Sequence, residues 1–230
     1  MVTLIHYHPN EDTLSYTVRP MRLADVPQAT EIDQECFPTQ WPPPPYRSDL
    51  LFNRPARYLV ACENENHAAP LGKREQRGSP LDHPRVGARR LFYKAGASPP
   101  SQLVVGIIGF WLMAGEAHIT TIGVRQAYQR LGIGELLLIS AIDLALTRQA
   151  EVITLEVRLS NIAAQELYQK YGFTKRGVRI GYYTDNREDA VIMTTDTLTS
   201  ALFQSQFQLL KRAYAERWRT ATRILDRNIG

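Results

Sequence analysis

From Glu135 to Gln149 the chain is apolar almost all the way round: at helical pitch its only polar stripe is Ser140, Asp143 and Thr147. A helix of that composition is stable in water only when most of its surface is covered. The neighbouring segments offer the cover. Before it, Leu103–Met113 and His118–Val124 carry strand-forming residues and are joined at Ala114, Gly115 and Glu116, which suit a tight reversal, so they predict an antiparallel hairpin. After it, Val152–Leu159 alternates apolar and polar residues as a strand does. The order predicts a mixed α/β fold in which a hairpin feeds a βαβ unit.

The rest of the chain extends that pattern. Tyr16–Met21 reads as a strand, followed by a helix capped at Asp25 with Val26, Ala29, Ile32, Cys36 and Phe37 on one face. Pro42–Pro45 form a stiff extended run before a short helix beginning near Ser48, and Arg57–Cys62 is a second strand. Beyond the βαβ unit, Ile162–Tyr171 is a helix ending at Gly172, and Phe173–Tyr183 with Ala190–Thr195 is a final strand pair. Residues 64–102 combine five prolines and four glycines with scattered Lys and Arg and no apolar period, which predicts a mobile low-complexity insertion in a domain spanning 1–197. In the tail, 198–230, Phe203, Phe207, Leu210, Tyr214, Trp218, Ala221 and Leu225 recur at steps of three or four with arginines between them. That is a basic amphipathic helix, expected to pack back on the domain or on a second copy of the chain.

Charge and composition exclude several classes. The net charge is +4, and the tail from Leu198 onward, with six Lys/Arg against two Asp/Glu, accounts for all of it; the preceding residues balance at 21 against 21. Nucleic acid is therefore not an expected partner of the domain, although the tail leaves RNA or a membrane surface open. The longest apolar run, Leu103–Gly115, falls short of the roughly 18–20 residues of a membrane span. The first fifteen residues resemble neither a signal nor a transit peptide, which makes the cytoplasm the expected compartment. Cys36 and Cys62 are too few for a disulfide framework, and His6, His8, His67, His83 and His118 make no metal set with them, so no metal is expected.

Between strand and buried helix lies Gln129-Arg130-Leu131-Gly132-Ile133-Gly134. Glycines at a helix start allow close backbone approach, and the unpaired N–H groups there, aided by the helix dipole, can hold an anion such as a pyrophosphate. A dinucleotide fingerprint needs a third glycine where Leu137 stands, and a nucleotide-triphosphate loop needs Lys followed by Ser or Thr; neither is present. Tight strand–helix packing accounts for such glycines equally well.

Gln129-x-x-Gly132-x-Gly134, preceded by the strand Ile119–Val124, resembles the acetyl-CoA pyrophosphate motif of the Gcn5-related N-acetyltransferase (GNAT) superfamily. Leu155-Glu156-Val157-Arg158-x-x-Asn161, Leu167-Tyr168-x-x-x-Gly172-Phe173, Gly181-Tyr182-Tyr183 and Arg187-Glu188-Asp189-Ala190 resemble, in that order, the bacterial ribosomal-protein-alanine N-acetyltransferases of RimI type. The resemblance implies the GNAT fold: a mixed, mostly antiparallel sheet with flanking helices and a splayed parallel strand pair that holds acetyl-CoA. It implies direct transfer of an acetyl group to a protein N-terminal amine, first of all an N-terminal alanine of a small-subunit ribosomal protein. Other readings are the same fold acting on a lysine, polyamine or aminoglycoside, or a non-catalytic module that senses acyl-CoA or binds RNA. The insertion and the tail depart from the compact family pattern, and the tail helix is the expected place for any oligomer contact.

Residue by residue, Glu156 is a carboxylate mid-strand, where Glu is disfavoured; alone it reads as a solvated or Arg-paired group, and by resemblance it is the general base acting through water. An α-amine with pKa near 8 needs such a base before it can attack a thioester. Tyr168 alone reads as a core tyrosine and by resemblance is the general acid for the departing thiolate. Asn161, otherwise a helix cap, resembles the asparagine that bonds the CoA arm, and Ile122, Gly123 and Val124 resemble the backbone edge that pairs with pantetheine. The resemblance places Gln129, Arg130, Leu131, Gly132, Ile133, Gly134 and Glu135 around the pyrophosphate. Tyr182 and Tyr183 are expected to shape the acceptor groove opposite Phe37 and Pro38, and strand alternation predicts that only one of the two rings enters it.

Overall fold

The computed structural model describes residues 16–39, 44–63 and 102–227, with side chains through Trp218. The insertion at 64–101, the residues carrying His6, His8, His67 and His83, and the side chains of Ala221 and Leu225 lie outside the described residues. One mixed sheet of seven strands organises the rest: β1 (Tyr16–Pro20), β2 (Ala56–Glu63), β3 (Val104–Met113), β4 (Glu116–Val124), β5 (Val152–Arg158), β6 (Phe173–Tyr183) and β7 (Glu188–Thr195). Their spatial order is β1-β2-β3-β4-β5-β7-β6, and β4–β5 is the parallel pair; the other neighbours run antiparallel. The parallel pair arises because a helix, α3 (Ile133–Thr147), connects β4 to β5, whereas β3 and β4 are joined by the two-residue turn Ala114–Gly115.

Alternation along the strands sorts the core into two layers. Tyr58, Val60 and Cys62 of β2 face α1 (Val26–Cys36) and α2 (Tyr46–Phe52), while Leu59 and Ala61 face α3. Val104–Phe110 is buried on both faces, as its unbroken apolar run requires. Helix α2 begins two residues before the expected Ser48.

Asp25 differs from expectation. It occupies the N-cap position of α1 but makes no cap bond; its carboxylate accepts instead from Arg22 N–H at 2.7 Å and from the Arg19 guanidinium at 2.6 and 2.9 Å. The guanidinium of Arg19, six residues earlier on β1, outcompetes the helix's own amides because a charge-assisted bidentate pair is the stronger bond.

The α3 helix is covered as its composition demands, by the sheet beneath and by α5 (Ala201–Arg227) above. Phe203, Phe207 and Tyr214 of α5 are buried, and Lys211 reaches Asp143, in the middle of the polar stripe of α3, at 2.7 Å. Of the two packings expected for the tail, the structure shows the one against its own domain. Phe203, Phe207, Lys211 and Tyr214, at steps of four, four and three residues on one face of α5, are what carry it.

On the other layer, Asp33 of α1 is 5% exposed, accepts the Tyr46 hydroxyl on one oxygen, and leaves Oδ1 buried without a partner. Burial pushes its carboxyl up from 3.8 to about 6. The folded chain therefore holds this proton more tightly than the unfolded chain, and stability contributed by the group at low pH is lost as pH rises from 3.8 through about 6. Asp33→Asn is expected to remove a decline on the order of 2 kcal/mol across that window. Urea unfolding at several pH values measures it, and an unchanged slope would assign the decline to another group.

Candidate active site

The parallel register of β4 and β5 runs only from Glu116↔Val152 to Ile119↔Leu155. Beyond it β5 keeps only its other neighbour, β7, which pairs with it from Thr154↔Thr194 to Arg158↔Ala190. A bulge where Gly109 and Phe110 of β3 face Thr121 and Ile119 leaves Thr120 over, and a bulge bends its strand. The strands splay, and a groove of about 840 Å³ opens between them. Its walls include Phe37, His118, Ile122, Glu156, Asn161, Tyr168, Tyr182 and Tyr183, so sequence-distant residues singled out above meet in one cleft. Pro38 is not among the lining residues.

Glu156 faces the groove because Ile153, Leu155 and Val157 take the core face of β5. Its side chain is only 5% exposed; Oε2 lies 2.9 Å from His118 Nε2 and Oε1 lies 3.1 Å from an Arg179 nitrogen, close enough for an ion pair but too poorly aligned for a hydrogen bond. Of the two bland readings, the solvated carboxylate is therefore excluded and the Arg-paired one holds in part. His118 stands beside Thr154 in the parallel register, two residues before Glu156 on the same face. In the sequence His118 stands out only as a candidate metal ligand; the spacing that brings it to Glu156 is the register of two strands separated by a helix, which no local pattern carries. Among the described residues no group of three or more His, Cys, Asp or Glu side chains is placed to hold a metal ion.

Tyr168, on α4 (Ile162–Lys170), is 4% exposed, packs 5.7 Å from the Phe173 ring, and lines the groove. It is a core tyrosine whose position also borders the cleft. Burial raises its pKa, keeping the phenol protonated over the working range. Asn161 caps α4, its Oδ1 accepting from Ala164 N–H at 3.2 Å, which leaves the amide nitrogen as a donor at the groove wall. Cys36 also borders the groove; its thiol donates to Val124 C=O at 3.3 Å, and burial pushes its pKa up, so it is a poor nucleophile.

The backbone edge of β4 is narrower than expected. The register Ile107↔Gly123, with Arg125 N–H donating to Val105 C=O at 2.9 Å, commits both backbone groups of Gly123 to β3. Ile122 and Val124 turn theirs to the cleft, and Val124 C=O already accepts from Cys36 and from Gln129 Nε2 at 3.2 Å. Gly123 serves packing instead: a Cβ there would lie 3.3 Å from Cys36 Sγ and from Ile32 Cγ2.

At the acceptor end a register shift between Arg179 and Tyr183 breaks strand alternation. Tyr182 and Tyr183 consequently both line the groove, their rings 5.2 Å apart and edge to face, contrary to the expectation that only one would. The Arg158 guanidinium sits 3.9 Å from the Tyr183 ring centre and is held by Asp185 at 2.8 Å and Glu188 at 3.1 Å. Thr39 bonds Asp185 at 2.7 Å, so the loop after α1 meets the β6–β7 turn across the groove mouth.

The glycine turn opens α3. Gly132, at φ 76, is its N-cap, and the first helical bond, Leu136 N–H to Gly132 C=O at 3.0 Å, leaves the amides of Ile133, Gly134 and Glu135 directed out of the helix end. A Cβ on Gly134 would meet only Val124 Cγ2, at 3.9 Å. Packing does not require glycine there, and the open space suits the approach of a pyrophosphate to these amides. The Glu135 carboxylate is drawn aside by Tyr171 Oη at 2.7 Å and Lys170 Nζ at 2.5 Å, which leaves its amide, not its side chain, as the group available to a phosphate.

Residues 89–173 match the Acetyltransferase (GNAT) family. A Bacillus subtilis protein provisionally named ribosomal protein bS18-alanine N-acetyltransferase is 34% identical over 76% of this chain and 92% of its own length. The Mycobacterium tuberculosis N-alpha-acetyltransferase RimI is 32% identical over 81% of this chain and 96% of its own. The crystal structure of the Escherichia coli ribosomal-protein-S18-alanine N-acetyltransferase superposes with a TM-score of 0.58 at 24% identity, covering 81% of this chain and 96% of that one, a likeness of fold. With the splayed strands, the glycine turn and these likenesses together, the chain belongs to the GNAT acetyltransferase family and is an acetyl-CoA-dependent N-acetyltransferase.

Proposed function

We propose that the enzyme acetylates the α-amino group of a protein N-terminus, with the N-terminal alanine of a small-subunit ribosomal protein as the first substrate to test. The observation that carries this reading is the buried Glu156, 2.9 Å from His118, at the bottom of a groove walled by Tyr182 and Tyr183 and bridged by Thr39 and Asp185. Such a groove admits a chain end lengthwise. The relatives named as ribosomal protein alanine or N-alpha-acetyltransferases support the same class of acceptor.

In this reading the amides of the turn, Arg130 to Glu135, hold the pyrophosphate of acetyl-CoA, and Asn161 with the open backbone of Ile122 and Val124 holds the pantetheine arm. Glu156, acting through a water, removes one proton from the substrate ammonium, and His118 orients the carboxylate that receives it. The free amine attacks the thioester carbonyl carbon, a backbone N–H of β4 stabilises the oxyanion, and the C–S bond breaks. Tyr168 gives its proton to the departing sulfur and recovers one from solvent as the nitrogen sheds its second proton. Cys36, with its raised pKa, gives no support to a covalent acyl-enzyme. The cytoplasm, where ribosomal proteins are made, is the compartment this reading requires.

The test is incubation of the protein with acetyl-CoA and peptides that differ only at the first residue, with the acetyl group located by mass spectrometry. Acetylation of the α-amine, fastest for alanine, is expected. Modification confined to internal lysines would replace this acceptor by a side-chain amine.

A further inference from the structure

The tail helix sets Trp218 against the glycine turn. An ideal Cβ on Gly132 would lie 2.2 Å from Trp218 Cε2, 2.3 Å from Cζ2 and 2.5 Å from Nε1, so the indole occupies the space that any side chain at 132 would take. We propose that Trp218 is a positioning residue of the acetyl-CoA site: seated on Gly132, it holds the shape of the phosphate-binding turn and makes the docking of α5 part of cofactor affinity. The inference rests on the reading of that turn as the pyrophosphate site.

The turn is a segment that needs support from outside. Arg130, at φ 65, and Gly132, at φ 76, are both left-handed and flank Leu131. Left-handed residues between right-handed ones turn successive amides toward one point, the arrangement that receives an anion. For Arg130 this conformation is intrinsically unfavourable, so the array persists only where its surroundings hold it. Arg130 and Leu131 are exposed, so the turn is held from its flanks and at Gly132; on the strand side Gln129 Nε2 donates to Val124 C=O at 3.2 Å. At the helical end, Glu135 is bonded by Tyr171 and Lys170 of the α4 region. At Gly132 itself the three atoms nearest the place of a Cβ all belong to Trp218.

Trp218 is itself placed from a distance. Upstream on α5, Phe207 packs edge to face on Tyr171 at 6.3 Å, Lys211 bonds Asp143, and Tyr214, 6% exposed, lies 6.2 Å from the indole. The Arg217 guanidinium stands 5.4 Å from the indole centre, placing a cation beside the turn. A helix anchored along α3 thus delivers one aromatic side chain to the one glycine at which α3 begins. That cofactor binding and helix docking depend on each other follows from linkage: whatever favours one turn geometry favours both.

Trp218→Ala in the full-length protein is the test, with acetyl-CoA titrated by calorimetry. The dissociation constant and the KM for acetyl-CoA are expected to rise about fivefold or more, while kcat at saturation and the KM for peptide stay within about twofold. Trp218→Phe, which keeps an aromatic ring on Gly132, is expected to recover most of the affinity. The acetyl-CoA-dependent change in intrinsic fluorescence is expected to differ between wild type and Trp218→Phe, a comparison that holds even should the alanine variant fail to fold. Unchanged affinity in the folded alanine variant, or indistinguishable fluorescence titrations, would overturn the proposal. Tighter binding by the alanine variant would also overturn it, because it would mean that the indole occupies the cofactor's place. Gly134→Val separates the layers of the argument: wild-type affinity there removes the turn from the site and this inference with it, whereas lost affinity there with none lost in Trp218→Ala removes the role of α5 alone.

Discussion

Glu156→Gln is expected to lower turnover by about 10² to 10⁴ with acetyl-CoA binding intact, and raising the pH is expected to restore part of the loss by supplying free amine. The glutamine keeps an acceptor for His118 at the 2.9 Å contact and gives up the pairing with Arg179, whose side chain is 52% exposed and contributes little to stability. Folding is therefore not where the change acts. Tyr168→Phe is expected to cost a comparable factor without the rescue, since more free amine does nothing for a departing thiolate. Were Tyr168 only a core residue, losing the hydroxyl would lower stability by about 0.5 to 1.5 kcal/mol and leave turnover nearly intact. Rate–pH profiles for both variants, with thermal melts alongside, distinguish the two. Wild-type turnover in either folded variant across the pH range would remove that residue from the mechanism.

Gly134→Val is expected to weaken acetyl-CoA binding by about tenfold or more, equivalent to at least about 1.4 kcal/mol, while the melting temperature moves by only a few degrees, about what 1 kcal/mol produces in a domain of this size. The prediction follows from the space around Gly134, where a Cβ meets nothing nearer than Val124 Cγ2 at 3.9 Å. Valine and glycine differ little in helix propensity, so the first turn of α3 tolerates the exchange. What the methyls would meet is the incoming pyrophosphate. Calorimetric titration of the folded variant decides it.

Much of this was legible because it is local. The hydrophobic surface of α3 required cover over most of its circumference, and the structure supplies it as the sheet and α5. The alternation of Val152–Leu159 placed Glu156 away from the core face, and the three- and four-residue steps of the tail placed Phe203, Phe207, Tyr214 and Trp218 on one face. What failed locally failed for physical reasons. Asp25 is bound by Arg19 of the preceding strand in place of the amides of α1. Tyr182 and Tyr183 share a groove because a register shift against β7 overrides alternation. Gly123 is small for the sake of α1, not for a ligand.

By itself the sequence determined the order of strands and helices, the burial of α3, the composition of the glycine turn and the face on which Glu156 stands, since periodicity and propensity act over a few residues. Only the tertiary structure decided that His118 meets Glu156, that Thr39 reaches Asp185 across the groove, and that Trp218 rests on Gly132. Each of those contacts joins residues separated by tens of positions or more, and it forms only when the register of the sheet and the docking of one helix on another have been chosen by packing of the whole core.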